Sequence, residues 1–152
     1  DYDERFPGGV TPNVGTWHVA ITPYCKNTQI FSCPSHDKDG YSYGVPYNNM
    51  FTDTGTGPRG VKLTALTAPS ESLLMCDSQR NDGFGTWYLY SLKSFAYPCS
   101  ATETSTNSIP VPGRHNDGNN VGFCDGHAKW INTTTLTDRS WSGWTTQPAA
   151  VQ

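Results

Sequence analysis

The sequence predicts an α+β domain: a short N-terminal helical part packed on an antiparallel sheet of about four strands, with long loops. Three stretches predict it. TWHVAITPY (Thr16 to Tyr24) carries helix punctuation, and SLLMCD (Ser72 to Asp77) is a continuous apolar run of strand length. NNVGFCDGHAKWIN folds back on itself at an Asp-Gly pair. At 152 residues the chain fits one domain, 1–152, large enough to bury a core.

The elements follow in chain order. Residues 1–15, DYDERFPGGVTPNVG, are polar and rich in turn formers, and read as an irregular lead-in. Thr16 is a capping residue, Trp17, Val19, Ala20 and Ile21 follow, and Pro23 should end the helix. TQIFSCP (Thr28 to Pro34) reads as a short apolar strand, and Tyr41, Tyr43 and Val45 alternate as a strand would. Thr52 to Gly60 is loop, Ser72 to Asp77 a strand central in the sheet, Asn81 to Gly85 a turn, and Trp87 to Leu92 another strand. Pro98 to Gly113 is a long Ser/Thr/Pro connection. Residues 139–152 hold Trp141 and Trp144, and a tail with two tryptophans should dock on something.

Composition narrows the functions. Only 15% of the chain is charged and the net charge is −3, with no run of Lys or Arg, which argues against nucleic acid as a partner. No apolar run approaches the roughly 18 residues of a bilayer span, so no membrane span is expected in this chain. Five cysteines without a CxxC, in a chain rich in Thr, Asn and Gly, fit an extracellular or cell-surface location. Two disulfides with one cysteine over is the simplest count; composition does not choose the pairs, and five small buried or free thiols remain the alternative.

The segment from Arg114 to Trp130 carries the strongest local signal. A two-residue turn at Asp125-Gly126 would set Cys124 opposite His127, Phe123 opposite Ala128 and Val121 opposite Trp130. Val121, Phe123, Ala128 and Trp130 would then share an apolar face, and Gly122, Cys124, His127 and Lys129 the other. His115, Cys124, Asp125 and His127 all have zinc-ligating chemistry, but the hairpin gives them no common centre. A Cys124–His127 nucleophilic dyad would lack an orienting third group. The structural reading makes His115 a hydrogen-bonding anchor that fixes its loop onto the Asp125 turn. No nucleophile elbow, carboxylate pair or HExxH motif is present, so an enzyme is not expected.

His115, nine residues, then Asp125-Gly126 resembles the H-x9-DG signature of a bacterial family of prepilin-type, pseudopilin-like proteins. DYDERFP (Asp1 to Pro7), PYCKNTQIFSCPS (Pro23 to Ser35), PSESLLMCDS (Pro69 to Ser78) and FCDGHAKW (Phe123 to Trp130) resemble that family's successive stretches, in the same order. The resemblance implies a pilin-like globular domain acting as a structural subunit of an extracellular filament or pseudopilus-like assembly, with itself as partner. The family's precursors begin with a leader and a hydrophobic helix, which this sequence does not show. Assembly contacts are therefore expected from the globular surface, with Asp1, Tyr2, Trp141 and Trp144 as candidates.

Cysteine at both Cys76 and Cys124 departs from the family pattern. If their strands are neighbours, a Cys76–Cys124 disulfide is reasonable, with Cys25–Cys33 as the second pair and Cys99 left over. Type II secretion major pseudopilins, which the family resembles, hold calcium in a C-terminal loop region, and by that resemblance bound calcium is expected here. Asp37 and Asp39, in a fragment of a calcium-loop pattern, and Asp117 and Asp125 are the candidate ligands. The alternative is that Asp-Gly, which occurs four times, simply makes turns. Asn132-Thr133-Thr134 is a glycosylation sequon. The numerous aromatics support a competing function, a secreted carbohydrate- or surface-binding module.

Overall fold

A computed structural model describes residues 4–7, 10–11, 15–36, 40–47, 60–79, 88–90, 109–138 and 141–145. A two-stranded ribbon, β1 (Val10–Thr11) and β2 (Gly15–Thr16), leads into α1 (Trp17–Ile21). A 3₁₀ turn, Thr22–Tyr24, follows with Pro23 inside it, so the expected helix is there but is one turn long before it tightens. Thr16 stands at the cap position in extended conformation, but its hydroxyl makes no cap bond and lies 3.0 Å from the His18 ring nitrogens.

The strand expected at Thr28 to Pro34 is instead a 3₁₀ helix, Thr28–Phe31. Its cause is local: Asn27 Oδ1 accepts a bond from the Gln29 backbone N–H at 2.8 Å, which closes the chain into a turn before a ladder could form. Phe31 is buried by that turn while Ile30 is left 57% exposed.

The main sheet contains β3 (Tyr43–Tyr47), β4 (Leu73–Asp77), β5 (Tyr88–Tyr90), β6 (Gly118–Phe123) and β7 (Ala128–Asn132), in the order β5-β3-β4-β6-β7. Four strands, β3, β4, β6 and β7, are antiparallel, as expected; β5 extends them by pairing parallel to β3. The run SLLMCD is central, and a shift in register between Leu73 and Met75 turns Leu73 and Cys76 to the same side.

Two core clusters result. Leu73, Cys76, Val121, Phe123 and Ile131 pack with Ile109, with Leu136 of α2 (Thr133–Leu136), and with Trp141, just before α3 (Ser142–Thr145). Across the sheet, Val45 packs with Trp17, Phe31, Val61 and Leu66, flanked by Met75, Cys25 and Cys124. The architecture is α+β, and among the described residues no helix is long and apolar enough to cross a membrane.

The hairpin closes one residue differently from the expected register. Val121 pairs with Lys129, Gly122 with Ala128 and Asn120 with Trp130. Phe123 N–H donates to His127 O at 2.9 Å and Gly126 N–H to Phe123 O at 3.0 Å, which makes a three-residue loop with Gly126 at φ +95°. A one-residue slip flips every side chain of a strand. Ile131 therefore faces the core, and Ala128 and Trp130, expected inside, are exposed. The two-residue turn with both central residues left-handed lies nine residues earlier, at Asn116 (φ 53°) and Asp117 (φ 61°), between His115 and Gly118.

Candidate functional site

That earlier turn borders a cluster of buried polar side chains. Asp77, at the end of the central strand β4, is fully buried and would be costly there without partners. Arg114, whose side chain is 6% exposed, donates from Nη1 to Asp77 Oδ1 at 2.9 Å and to Ser42 O at 3.1 Å, and from Nη2 to Ser78 O at 2.6 Å. Asn120 N–H donates to Asp77 Oδ2 at 2.6 Å. His115 Nε2 lies 3.3 Å from the same Oδ2, and Cys33 Sγ lies 3.5 Å from that same nitrogen. Tyr43 borders the cluster: burial first, then the Cys33 and Asp77 charges, push its phenol above the ordinary tyrosine range, with Arg114 opposing.

Each member is held by its own element. The 3₁₀ turn that replaces the expected strand delivers Cys33, whose backbone N–H donates to Ser42 Oγ at 2.8 Å. The Asn116-Asp117 turn delivers His115, and Trp130 Nε1 donates to His115 O at 2.7 Å, clamping it from outside. The indole lies directly over Gly118, where an added Cβ would stand 2.2 Å from its ring. The positions that meet are 82 residues apart in sequence, Cys33 to His115.

The chemistry follows from which nitrogen is engaged. In a nucleophilic relay the carboxylate holds one imidazole nitrogen and the nucleophile faces the other. Here Asp77 and Cys33 both face Nε2, so the trio is not a relay. One S, one N and one O donor instead converge, all within 4.8 Å of one another, as ligands to one centre would.

The sequence-predicted residues fall as follows. His115 is an anchor, but onto Asp77 and Cys33 rather than onto the Asp125 turn, from which the length of β6 separates it. Asp125 and Gly126 form the hairpin loop, and hydrogen bonds from the His127 backbone and ring hold the Asp125 carboxyl below its ordinary range. The His127 ring stacks on Phe123 at 4.3 Å and bonds Asp125 at 2.6 Å, so the Cys124–His127 dyad is not formed. Burial, then the Asp125 charge, push the Cys124 thiol up to about 12, far from a reactive thiolate.

Neither expected disulfide is present: Cys25, Cys33, Cys76 and Cys124 are not disulfide-bonded. Cys76 and Cys124 belong to the two clusters on opposite faces of the sheet, and Cys33 is turned to His115. Cys99 lies outside the described residues. Among the calcium candidates, Asp37 and Asp39 lie outside the described residues, while Asp117 and Asp125 flank opposite ends of β6, on the order of 20 Å apart at the rise of a strand, and share no centre. Asn132 Oδ1 accepts from the Thr134 N–H at 2.9 Å and caps α2. Asp1, Tyr2 and the Trp144 side chain lie outside the described residues. Trp141 docks on its own domain, edge-on to Phe123 at 6.3 Å.

Sequence reasoning missed Asp77 and Arg114 and gave Cys33 to a disulfide. The available signal was an aspartate closing the four-residue apolar run Leu73 to Cys76, which no buried strand carries without a partner. No family model, curated protein or solved structure matches this chain.

Proposed function

We propose that this chain is a structural subunit of an extracellular filament or pseudopilus-like assembly, joined to copies of itself through its globular surface. The supporting observation is the β7 edge. β7 is the last strand of the sheet order, and its Trp130 is 45% exposed while holding the His115 turn from outside. A sheet edge beside an exposed indole offers main-chain pairing and apolar area to a different patch of the next copy, and such head-to-tail contacts repeat into open arrays. The prepilin-type resemblance supports the same reading, because its signature residues His115, Asp125 and Gly126 serve turns and anchoring.

Sedimentation velocity and electron microscopy of the purified chain test this. Concentration-dependent oligomers or filaments that Trp130→Glu abolishes are expected; a chain monomeric at all concentrations would refute it. The competing module reading draws on the same exposed Trp130 and on Tyr24, 75% exposed. Retention on a polysaccharide, lost in Trp130→Ala without any self-association of the wild type, would favour it instead.

A further inference from the structure

We propose that Cys33 Sγ, Asp77 Oδ2 and His115 Nε2 form a three-ligand binding site for a zinc-type divalent cation. The His115–Asp77 separation of 3.3 Å favours this over a plain hydrogen-bonded node. A tetrahedral zinc with Zn–S of about 2.3 Å and Zn–N and Zn–O of about 2.0 Å sets the S···N pair about 3.5 Å apart and the N···O pair about 3.3 Å apart. The chain holds these pairs at 3.5 Å and 3.3 Å. An imidazole N–H bonded to a buried carboxylate should instead close to roughly 2.7–2.9 Å. Asp77 makes contacts that short, 2.9 Å to Arg114 and 2.6 Å to Asn120 N–H, so the packing does not hold its other partners at arm's length. One Nε2–H also has a single direction, and could serve only one of the two acceptors well.

The donor set fits the ion. A thiolate with an imidazole favours zinc-like metals over calcium or magnesium, which prefer all-oxygen sites. On binding, Cys33 releases its thiol proton to solvent, and the imidazole binds neutral through Nε2 with its proton on Nδ1. The surroundings are those of held ligands: Arg114 and Asn120 fix the carboxylate, Ser42 Oγ fixes the Cys33 backbone, and Trp130 fixes His115 through its carbonyl. His115 is 24% exposed, which leaves an entry path and a fourth position for water. The ion would tie the Cys33 loop, the end of β4 and the His115 turn into one unit. This site does not depend on assembly, and a monomeric chain would give the same readout.

The test uses the full chain, reduced and stripped with chelator, then titrated with Zn²⁺ against a chromophoric competitor and, separately, with Co²⁺. Expected are one zinc retained per chain and a thiolate-to-cobalt charge-transfer band. Losses from removing supporting residues typically run 10–100-fold, so Cys33→Ser and His115→Gln should each weaken binding by at least roughly 100-fold. Cys124→Ser should leave affinity unchanged. Absence of stoichiometric zinc or of the cobalt band in the wild type would overturn the proposal, whatever the variants do. Unchanged affinity in folded Cys33→Ser and His115→Gln would overturn it equally.

Discussion

Replacing Asp77 by Asn keeps the size of a buried side chain and removes its charge. In the native chain Oδ1 accepts from Arg114 and Oδ2 from the Asn120 N–H. An asparagine offers one acceptor oxygen and one donor group. Whichever way it is turned, its NH₂ meets either the guanidinium or a backbone N–H, donor against donor. Arg114 would also be left with a side chain 6% exposed and no counter-charge. Removing one partner of a buried pair typically costs about 3–5 kcal/mol, because the surviving charge stays desolvated. That is a large share of the roughly 5–15 kcal/mol by which domains are stable. At roughly 2–4 °C per kcal/mol for a chain this long, the melting temperature should fall on the order of 10 °C. Urea and thermal unfolding followed by circular dichroism, in chelator so that no metal contributes, measure it. Glu71→Gln, on an exposed side chain, is the control that should leave the midpoint in place. A folded Asp77→Asn within about 1 kcal/mol of the wild type would refute the idea that the Asp77–Arg114 pair organises this end of the sheet.

Two further outcomes are expected. His18 is 4% exposed, its ring centroid 3.9 Å from that of Tyr41 at a tilt of 37°, and burial lowers its pKa from 6.5 to about 4. The unfolded chain then takes up the proton first, so stability is full above about pH 6.5 and falls as the pH drops toward 4, by on the order of 1–2 kcal/mol once solvent screening is allowed for. Urea midpoints at a series of pH values test this, and His18→Phe should flatten the slope across that window; an unaltered slope would refute it. Gly126 has open space around it but φ +95°, so Gly126→Ala should cost about 1 kcal/mol of purely conformational strain and Gly126→Asn less. Equal midpoints for wild type and Gly126→Ala would show that the three-residue loop is wrongly drawn.

What could be read in the sequence was whatever a few adjacent residues decide. Thr16 to Pro23 signals a short helix because a residue of capping type and a proline bracket it, and α1 with its 3₁₀ continuation occupies that window, although the Thr16 hydroxyl makes no cap bond. SLLMCD signals a central strand because six residues without a charge until the last have only an interior to enter, and β4 lies between β3 and β6. Asp125-Gly126 signals a reversal because one of its residues tolerates a left-handed backbone, and the reversal is there.

The tertiary structure decided what those local signals leave degenerate. An Asp-Gly pair closes either a two-residue or a three-residue loop at similar local cost, and the choice moves every residue of β7 to the other face. Here packing made it: Phe123 and Ile131 enter one core cluster and His127 stacks on Phe123. The shape of residues 28–31 was decided by the Asn27 cap and the buried place waiting for Phe31, against an apolar composition that suits a strand. Of the Cys33–Asp77–His115 centre, only Asp77 left a local trace, as the aspartate that closes an apolar run. Its members come from the segment after a 3₁₀ turn, a strand end and a left-handed hairpin turn, and their separations depend on the register of the sheet that lies between them. A sequence carries ligand types one residue at a time; only the burial of Asp77, and the arginine that burial demands, draws them to one point.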